Sequence, residues 1–229
     1  MQDEETKIDN IERQDEIIEL AKTLDAADEF VESVEGILGP LKDNSSAWFY
    51  LSSLLQNVGL PGAALIICTQ GLQINSNEAL GWSMRGGLLN HGLKDVAMSL
   101  LRGGEEKKKV TIPYLGRELK SGSAEELKEA VQEIREKSVE AYRRATELDP
   151  KMALYWTGLG YQLTQINSDE AEDAFRRAID LEPHDKLQWI ALYDWYLKKE
   201  RNEDAIALEK QAKEYKIKLK KEHKKAMGK

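Results

Sequence analysis

Apolar residues recur three and four positions apart along most of the chain, which is the spacing of one face of an α-helix. Two such stripes are the pairs Ile17/Ile18 and Leu20/Ala21 near the start, and Ala205, Leu208, Ala212 and Tyr215 near the end. Only five prolines interrupt the 229 residues, and the helix-forming residues Glu, Lys, Leu, Ala and Gln dominate. The pattern therefore predicts an all-α fold.

Turn signals divide this pattern into helices. Two helices are predicted at about 11–24 and 25–38, and the second stops at Gly39-Pro40. Ser45 or Ser46 is expected to cap the next helix. Further breaks are predicted at 59–62, with Pro61 opening the return helix, at 75–77, and at Asn90-His91-Gly92. Residues 103–123 form an irregular insertion, a helix follows at about 124–148, and a last helix runs from about 203 to the C-terminus.

Several residues recur at a period close to 34. Trp48 and Trp82 are 34 positions apart, and Trp156 and Trp189 are 33 apart. The segments 145–150 (ATELDP) and 178–183 (AIDLEP) are near copies at the same spacing. A period of this length is the signature of a helical-repeat protein.

The best of these units resembles the tetratricopeptide repeat, a helix pair of 34 residues. The residues that carry the resemblance are Trp156, Leu159, Gly160, Leu163, Ala171, Phe175, Ala178 and Pro183. The resemblance implies a right-handed superhelical solenoid of antiparallel helix pairs, TPR-like, with one irregular insertion and a long basic C-terminal helix. It also implies that the tryptophans wedge between neighbouring pairs, because each pair leaves an apolar face that only the next pair covers.

One TPR-like domain is therefore predicted over residues 1–229. Its parts are a degenerate helix pair at 11–41, two repeats at 45–102, the insertion at 103–123, a long helix at 124–150, two repeats at 152–217 and a basic tail at 218–229. The helix at 124–150 lacks an internal breaker, which favours one rod rather than a hairpin.

Charge limits the class of partner that is expected, and cysteine usage indicates the redox compartment. The net charge is −8, which argues against nucleic acid as the default partner. The single cysteine, Cys68, excludes a disulfide framework and favours a reducing, cytoplasmic location. No apolar run approaches the length of a membrane span, and the acidic N-terminus does not resemble a signal peptide.

No constellation for catalysis or metal binding is recognisable. His91, His184 and His223 lie at no metal-ligand spacing to Cys68 or to a carboxylate, and Cys68 is predicted to be a buried small apolar residue. Nucleophile-elbow, phosphate-loop and dinucleotide-binding patterns are missing from the sequence. The sequence therefore predicts no enzyme, no cofactor and no metal.

The resemblance implies that the first helices of successive repeats line a concave groove for a protein partner, either an extended peptide or a helix. Phe49, Tyr161 and Ile190 are its expected apolar anchors. The other candidate groove residues are Ser53, Asn57, Asn90, His91, Gln165, Asp194 and Lys198. Leu80, Leu154, Leu187 and Leu197 occupy equivalent lining positions. The carboxylate clamp of chaperone-binding repeats is not present.

Alternatives remain open at this point. The tail lysines Lys218, Lys220, Lys221, Lys224 and Lys225 could bind RNA or a ribosome by counterion release. They could instead meet the acidic N-terminal helices of a second molecule. An assembly co-chaperone role is a further possibility, and the insertion could contact a partner through Tyr114 and Arg117. The partner's identity and the oligomeric state are left undetermined.

Overall fold

The computed structural model describes residues 13–23, 27–102, 110–112, 117–119 and 124–219. These residues divide into two compact units, with the boundary between Ala141 and Tyr142. The helices are α1 Gln14–Thr23, α2 Ala27–Leu38, α3 Ser45–Asn57, α4 Pro61–Ile74, α5 Ala79–Arg102, α6 Ala124–Leu148, α7 Ala153–Gln165, α8 Glu170–Leu181, α9 Lys186–Lys198 and α10 Asn202–Glu214. The strands are β1 Val110–Ile112 and β2 Arg117–Leu119, and a 3-10 turn covers Gly39–Leu41. The predicted all-α fold class is confirmed, with a short β-ribbon as its one addition in the described chain.

Unit 1 is built from α1 with α2 and α3 with α4, followed by α5. The predicted stop at Gly39 is confirmed, since Gly39 has φ +54° and the α-helix ends at Leu38. Pro61 is the first residue of α4, as expected. The prediction of a serine cap on α3 is wrong: the cap is Asn44, whose side chain accepts a hydrogen bond from the Ser46 amide at 3.0 Å.

The turn predicted at Asn90-His91-Gly92 is also wrong, because α5 continues through these residues to Arg102. A single glycine costs a helix only about 1 kcal/mol, and the buried Leu88 and Leu89 hold this turn of the helix in the core. The Ser138 hydroxyl of α6 donates to the Gly86 carbonyl of α5 at 2.7 Å. Consequently α5 is one uninterrupted helix where a hairpin was expected, and 45–102 is not two hairpins.

The predicted insertion at 103–123 contains the β-ribbon. Its strands are antiparallel, and Val110 is opposite Leu119 while Ile112 is opposite Arg117. The remaining residues of the insertion lie outside the described ranges. The helix predicted at 124–148 is one continuous rod of 25 residues, and the unit boundary falls inside it.

Unit 2 contains the two regular pairs predicted at 152–217, α7 with α8 and α9 with α10. The predicted continuous C-terminal helix is wrong, because α10 ends at Glu214 and Lys216 adopts a left-handed φ of +63°. The Ile217 amide then donates to the Ala212 carbonyl at 2.9 Å, which closes the helix as a Schellman motif. Ile217 and Leu219 are buried, so the described start of the predicted basic tail is packed.

The hairpin turns share this same closing geometry. Gly59, Asn167 and Glu200 each have a left-handed φ, of +82°, +58° and +59°. In each case the next amide donates to the carbonyl five residues before it, at 2.9–3.0 Å. Only one of the three is a glycine, so composition alone does not locate these turns.

Four tryptophans make the same hydrogen bond, from the indole N–H to a backbone carbonyl in the linker that precedes their helix. The bonds run from the indole nitrogen to the carbonyl six residues earlier: Trp48 to Lys42 at 2.7 Å, Trp82 to Ser76 at 2.8 Å, Trp156 to Pro150 at 2.9 Å and Trp189 to Pro183 at 2.9 Å. The four residues therefore occupy equivalent places at the start of a first helix, as the repeat spacing predicts.

A polar cluster links α8 to the turn between α9 and α10. The Glu172 carboxylate accepts hydrogen bonds from Tyr196 at 2.6 Å, Arg176 at 3.0 Å and Arg201 at 2.6 Å. Arg201 also lies 4.7 Å from the centre of the Tyr196 ring. Burial raises the pKa of Glu172, but the hydrogen bonds from Tyr196, Arg201 and Arg176 outweigh it and hold that pKa below its usual value.

The indole contact is testable on α9, which carries two buried tryptophans. Trp189 donates to Pro183, whereas no acceptor in the described part of the chain reaches the indole nitrogen of Trp195. Trp189→Phe should lower the free energy of unfolding by about 1–2 kcal/mol more than Trp195→Phe, because only the first removes a hydrogen bond. Urea unfolding of the full chain measures both, and equal losses would contradict the role given to the contact.

The Glu172 cluster should make stability depend on pH. Since the folded pKa is lowered, its stabilisation is complete above the unfolded pKa and is lost as pH falls through the folded pKa. Glu172→Gln should lower the free energy of unfolding by about 1–2 kcal/mol at pH 7, and the difference from wild type should shrink below about pH 4.

Urea unfolding at a series of pH values measures this difference. Glu170→Gln is the control, since Glu170 forms an exposed ion pair with Arg143 at 2.7 Å and should contribute less than about 0.5 kcal/mol. A deficit of Glu172→Gln that stays constant down to about pH 3 would show that its charge is not the cause.

Candidate partner-binding face

The first helix of unit 2 leaves one stripe of side chains uncovered. On α7, Leu154 is 61% exposed and Tyr161 is 38% exposed, and Gln165 is exposed one turn further on. These positions share one helix face because they are spaced by seven and four residues. Both Tyr161 and Gln165, which are candidate groove residues, are thus exposed, and Leu154 is more exposed than Tyr161.

A matching stripe lies on α9, the other first helix of unit 2. Leu187 is 47% exposed and Leu197 is 36% exposed, while Ile190 and Asp194 are half-buried between them. The two helices lie side by side, and the exposed Lys198 donates to the Thr164 carbonyl of α7 at 3.3 Å. We call the surface formed by Leu154, Tyr161, Gln165, Leu187, Ile190, Asp194, Leu197 and Lys198 the α7/α9 face.

Tyr161 is fixed at the middle of the α7/α9 face. Its ring packs edge-on against Phe175, with centroids 5.5 Å apart, and Phe175 lies against Gly160, where a Cβ would come within 2.5 Å of the ring. Burial raises the pKa of Tyr161, and the carboxylates of Asp194 and Asp185 raise it further. The phenol therefore stays protonated at neutral pH and can act as both a donor and an acceptor of hydrogen bonds.

Phe49 does not face a groove, so the prediction that it anchors a partner is wrong. Its side chain is only 5% exposed. The ring lies on Gly71 of α4 and Gly81 of α5, where added Cβ atoms would overlap it. Because both glycines leave room for an aromatic ring, Phe49 is packed between helices of unit 1.

The other candidates of unit 1 are distributed over α3 and α5. Ser53 and Asn57 are exposed on α3. Asn90 is half-buried and His91 is exposed, but both lie inside α5 rather than in the expected turn. These side chains are polar, so unit 1 offers no exposed apolar anchor at the predicted groove positions other than Leu80, which is 52% exposed.

The remaining candidates mostly lie beyond the described residues. This holds for Tyr114 and for Lys220, Lys221, Lys224 and Lys225. Arg117 begins strand β2, and Lys218 is exposed between two buried residues. A contact through the insertion or the tail therefore stays a prediction.

The described residues hold no visible reaction centre. Burial raises the pKa of Cys68 to about 12, against the smaller opposing effects of Arg85 and Ser52, and its thiol donates to the Gly81 carbonyl at 3.3 Å. A thiol in this state is no nucleophile. Among the described residues, no three His, Cys, Asp or Glu side chains gather as metal ligands, and none of the described helices has the length and apolarity of a membrane span.

The sequence matches no family model and no curated protein. Solved structures do match the fold. A crystal structure of MamA superposes with a TM-score of 0.57 at 15% identity, covering 83% of this chain and 88% of that one. MamA from Desulfovibrio magneticus RS-1 gives 0.57 at 12% identity, over 89% and 93% of the two chains. A thermophilic TPR protein from Thermus thermophilus gives 0.54 at 17% identity, over 88% and 91%. The chain thus has the fold of the tetratricopeptide-repeat proteins.

Proposed function

We propose that the chain is a protein-interaction scaffold that holds a segment of a partner against the α7/α9 face. The observation that carries the proposal is the row of exposed apolar side chains, Leu154, Tyr161, Leu187 and Leu197, on two adjacent helices. Of the predicted groove positions in this unit, Tyr161, Gln165 and Lys198 are exposed, and Ile190 and Asp194 are half-buried. Binding rather than catalysis is therefore the activity that the surface supports best.

The face combines apolar contact area with fixed polar groups. Exposed leucines give up water when a partner covers them, and each fully buried leucine contributes about 1.5–3 kcal/mol. The phenol of Tyr161, the carboxylate of Asp194 and the ammonium of Lys198 lie on the same face and offer hydrogen bonds that orient the partner. A peptide or helix with leucine-like anchors at regular spacing fits this arrangement.

The scaffold is ordered before the partner arrives. Tyr161 rests on Phe175, and α9 begins with a capped turn in which Asp185 accepts from the Leu187 amide at 2.9 Å. A preordered surface loses less side-chain entropy on binding than a flexible one. The fold shared with TPR proteins and MamA is consistent with such a role.

Selection of peptides from a random displayed library on the full chain tests the proposal. The selected peptides should bind the double variant Leu154→Ser/Leu187→Ser at least about tenfold more weakly than the wild type, because two apolar contacts are lost. Fluorescence anisotropy with a labelled selected peptide gives the two dissociation constants.

The matched control is Ile206→Ser on α10, since Ile206 is 53% exposed in the same unit but lies outside the α7/α9 face. This variant should bind the peptide as the wild type does. If no peptide is enriched, or if the double variant and the control bind equally, the α7/α9 face is not a binding surface.

A further inference from the structure

Unit 1 carries a cleft between the return helices α2 and α4. The cleft has a volume of about 530 Å³. The apolar part of its lining, called its floor below, consists of Val31 of α2 with Leu65 and Ile66 of α4, and the polar Thr69, Gln70 and Gln73 of α4 lie beside it. Val31 and Ile66 are half-buried and Leu65 is 6% exposed, so the floor belongs to the core of the unit. We call this feature the α2/α4 cleft.

One rim of the α2/α4 cleft is acidic. Asp28 and Glu32 are exposed and Glu35 is half-buried, all on the α2 side of the opening. Their spacing of four and three residues places them along one helix face over about 10 Å. Glu35 accepts a hydrogen bond from Gln70 of α4 at 3.2 Å, and Arg85 is a cation at the lining. The cleft thus offers an apolar floor beside a line of carboxylates.

The charge distribution of the chain points to what this cleft binds. Residues 1–36 contain 13 acidic and three basic side chains, a net of −10, whereas residues 213–229 contain eight lysines and two glutamates, a net of +6. The lysines at 220 and 224, and at 221 and 225, are four residues apart. In a helix these pairs have the same spacing of about 6 Å as Asp28 and Glu32.

We propose that the α2/α4 cleft binds the lysine-rich segment 220–229 of a second copy of this chain. The ammonium groups pair with Asp28, Glu32 and Glu35, and the apolar Ala226 and Met227 cover the floor. Such a contact joins two different surfaces of identical chains and is therefore heterologous, adding copies head to tail. It uses none of the residues of the α7/α9 face, so it stands or falls independently of the proposed partner binding.

Carbodiimide cross-linking of the full chain tests the contact directly, because the reagent joins a carboxylate only to an amine that touches it. An equal mixture of ¹⁵N-labelled and unlabelled chain is cross-linked and digested. Mass spectrometry should find mixed-isotope links between the lysines of 220–229 and Asp28, Glu32 or Glu35. The proposal is overturned if these links do not exceed those to Glu29 and Asp43, or if they occur only within single-isotope copies.

A pair of charge-matched variants tests the cause. Asp28→Asn/Glu32→Gln leaves Glu35 as a reporter, and its mixed-isotope links to the tail should fall several-fold. Glu29→Gln/Asp43→Asn makes the same change in net charge at exposed positions outside the cleft and should keep the wild-type yield. About 0.5 M salt, which shortens the screening length to about 4 Å, should also reduce the wild-type yield. Equal yields from both variants would overturn the proposal.

Discussion

The fold depends on a tryptophan placed at the start of a first helix, whose indole N–H reaches back to a carbonyl of the preceding linker. The bond recurs at Trp48, Trp82, Trp156 and Trp189, always to the sixth residue before. The bonds of Trp48 and Trp189 are partly buried and those of Trp82 and Trp156 are exposed, so each contributes about 0.5–1.5 kcal/mol, as a typical hydrogen bond does. The bulky ring packs against the helices while its polar edge makes this bond. One residue thus packs the repeat and fixes the direction in which the next helix begins.

A second constraint, the packing of aromatic rings on glycines, decides which aromatic residues remain for a partner. Phe175 lies on Gly160 and Phe49 lies on Gly71 and Gly81, so these rings belong to the packing between helices. Tyr161 differs because its ring rests edge-on on Phe175 and its outer part reaches the surface. An aromatic residue at a groove position is therefore interior or exterior according to the glycines opposite it, and those glycines lie on other helices. This is why the sequence predicted Tyr161 correctly as exposed but placed Phe49 on the wrong side.

Periodicity predicted the regular helix pairs of unit 2 and the helix ends at Gly39 and Pro61, where local chemistry decides the structure. Periodicity failed where packing overrides a local turn signal, and where the local sequence contains no turn signal. The Asn90-His91-Gly92 sequence reads as a turn, but the buried neighbours Leu88 and Leu89 keep α5 continuous. Lys216 carries no turn signal, yet it adopts a left-handed φ just after the end of α10, and the reversed chain buries Ile217 and Leu219. Both outcomes depend on contacts between distant parts of the sequence, which a residue pattern does not contain.

The α2/α4 cleft shows that a residue pattern is equally limited in locating a candidate binding surface. Its carboxylates are visible in the sequence as part of an acidic region, but in a helix-rich chain such charge usually marks a solvated face. What distinguishes Asp28, Glu32 and Glu35 is the apolar floor contributed by Leu65 and Ile66, thirty or more residues away. The floor matters for the free energy of binding. A lysine-bearing segment that covers apolar area gains hydrophobic free energy, which salt does not screen, in addition to electrostatic free energy, which salt does screen. The α7/α9 face presents mainly exposed apolar side chains, so under the two proposals the hydrophobic contribution dominates there and the two surfaces suit different occupants.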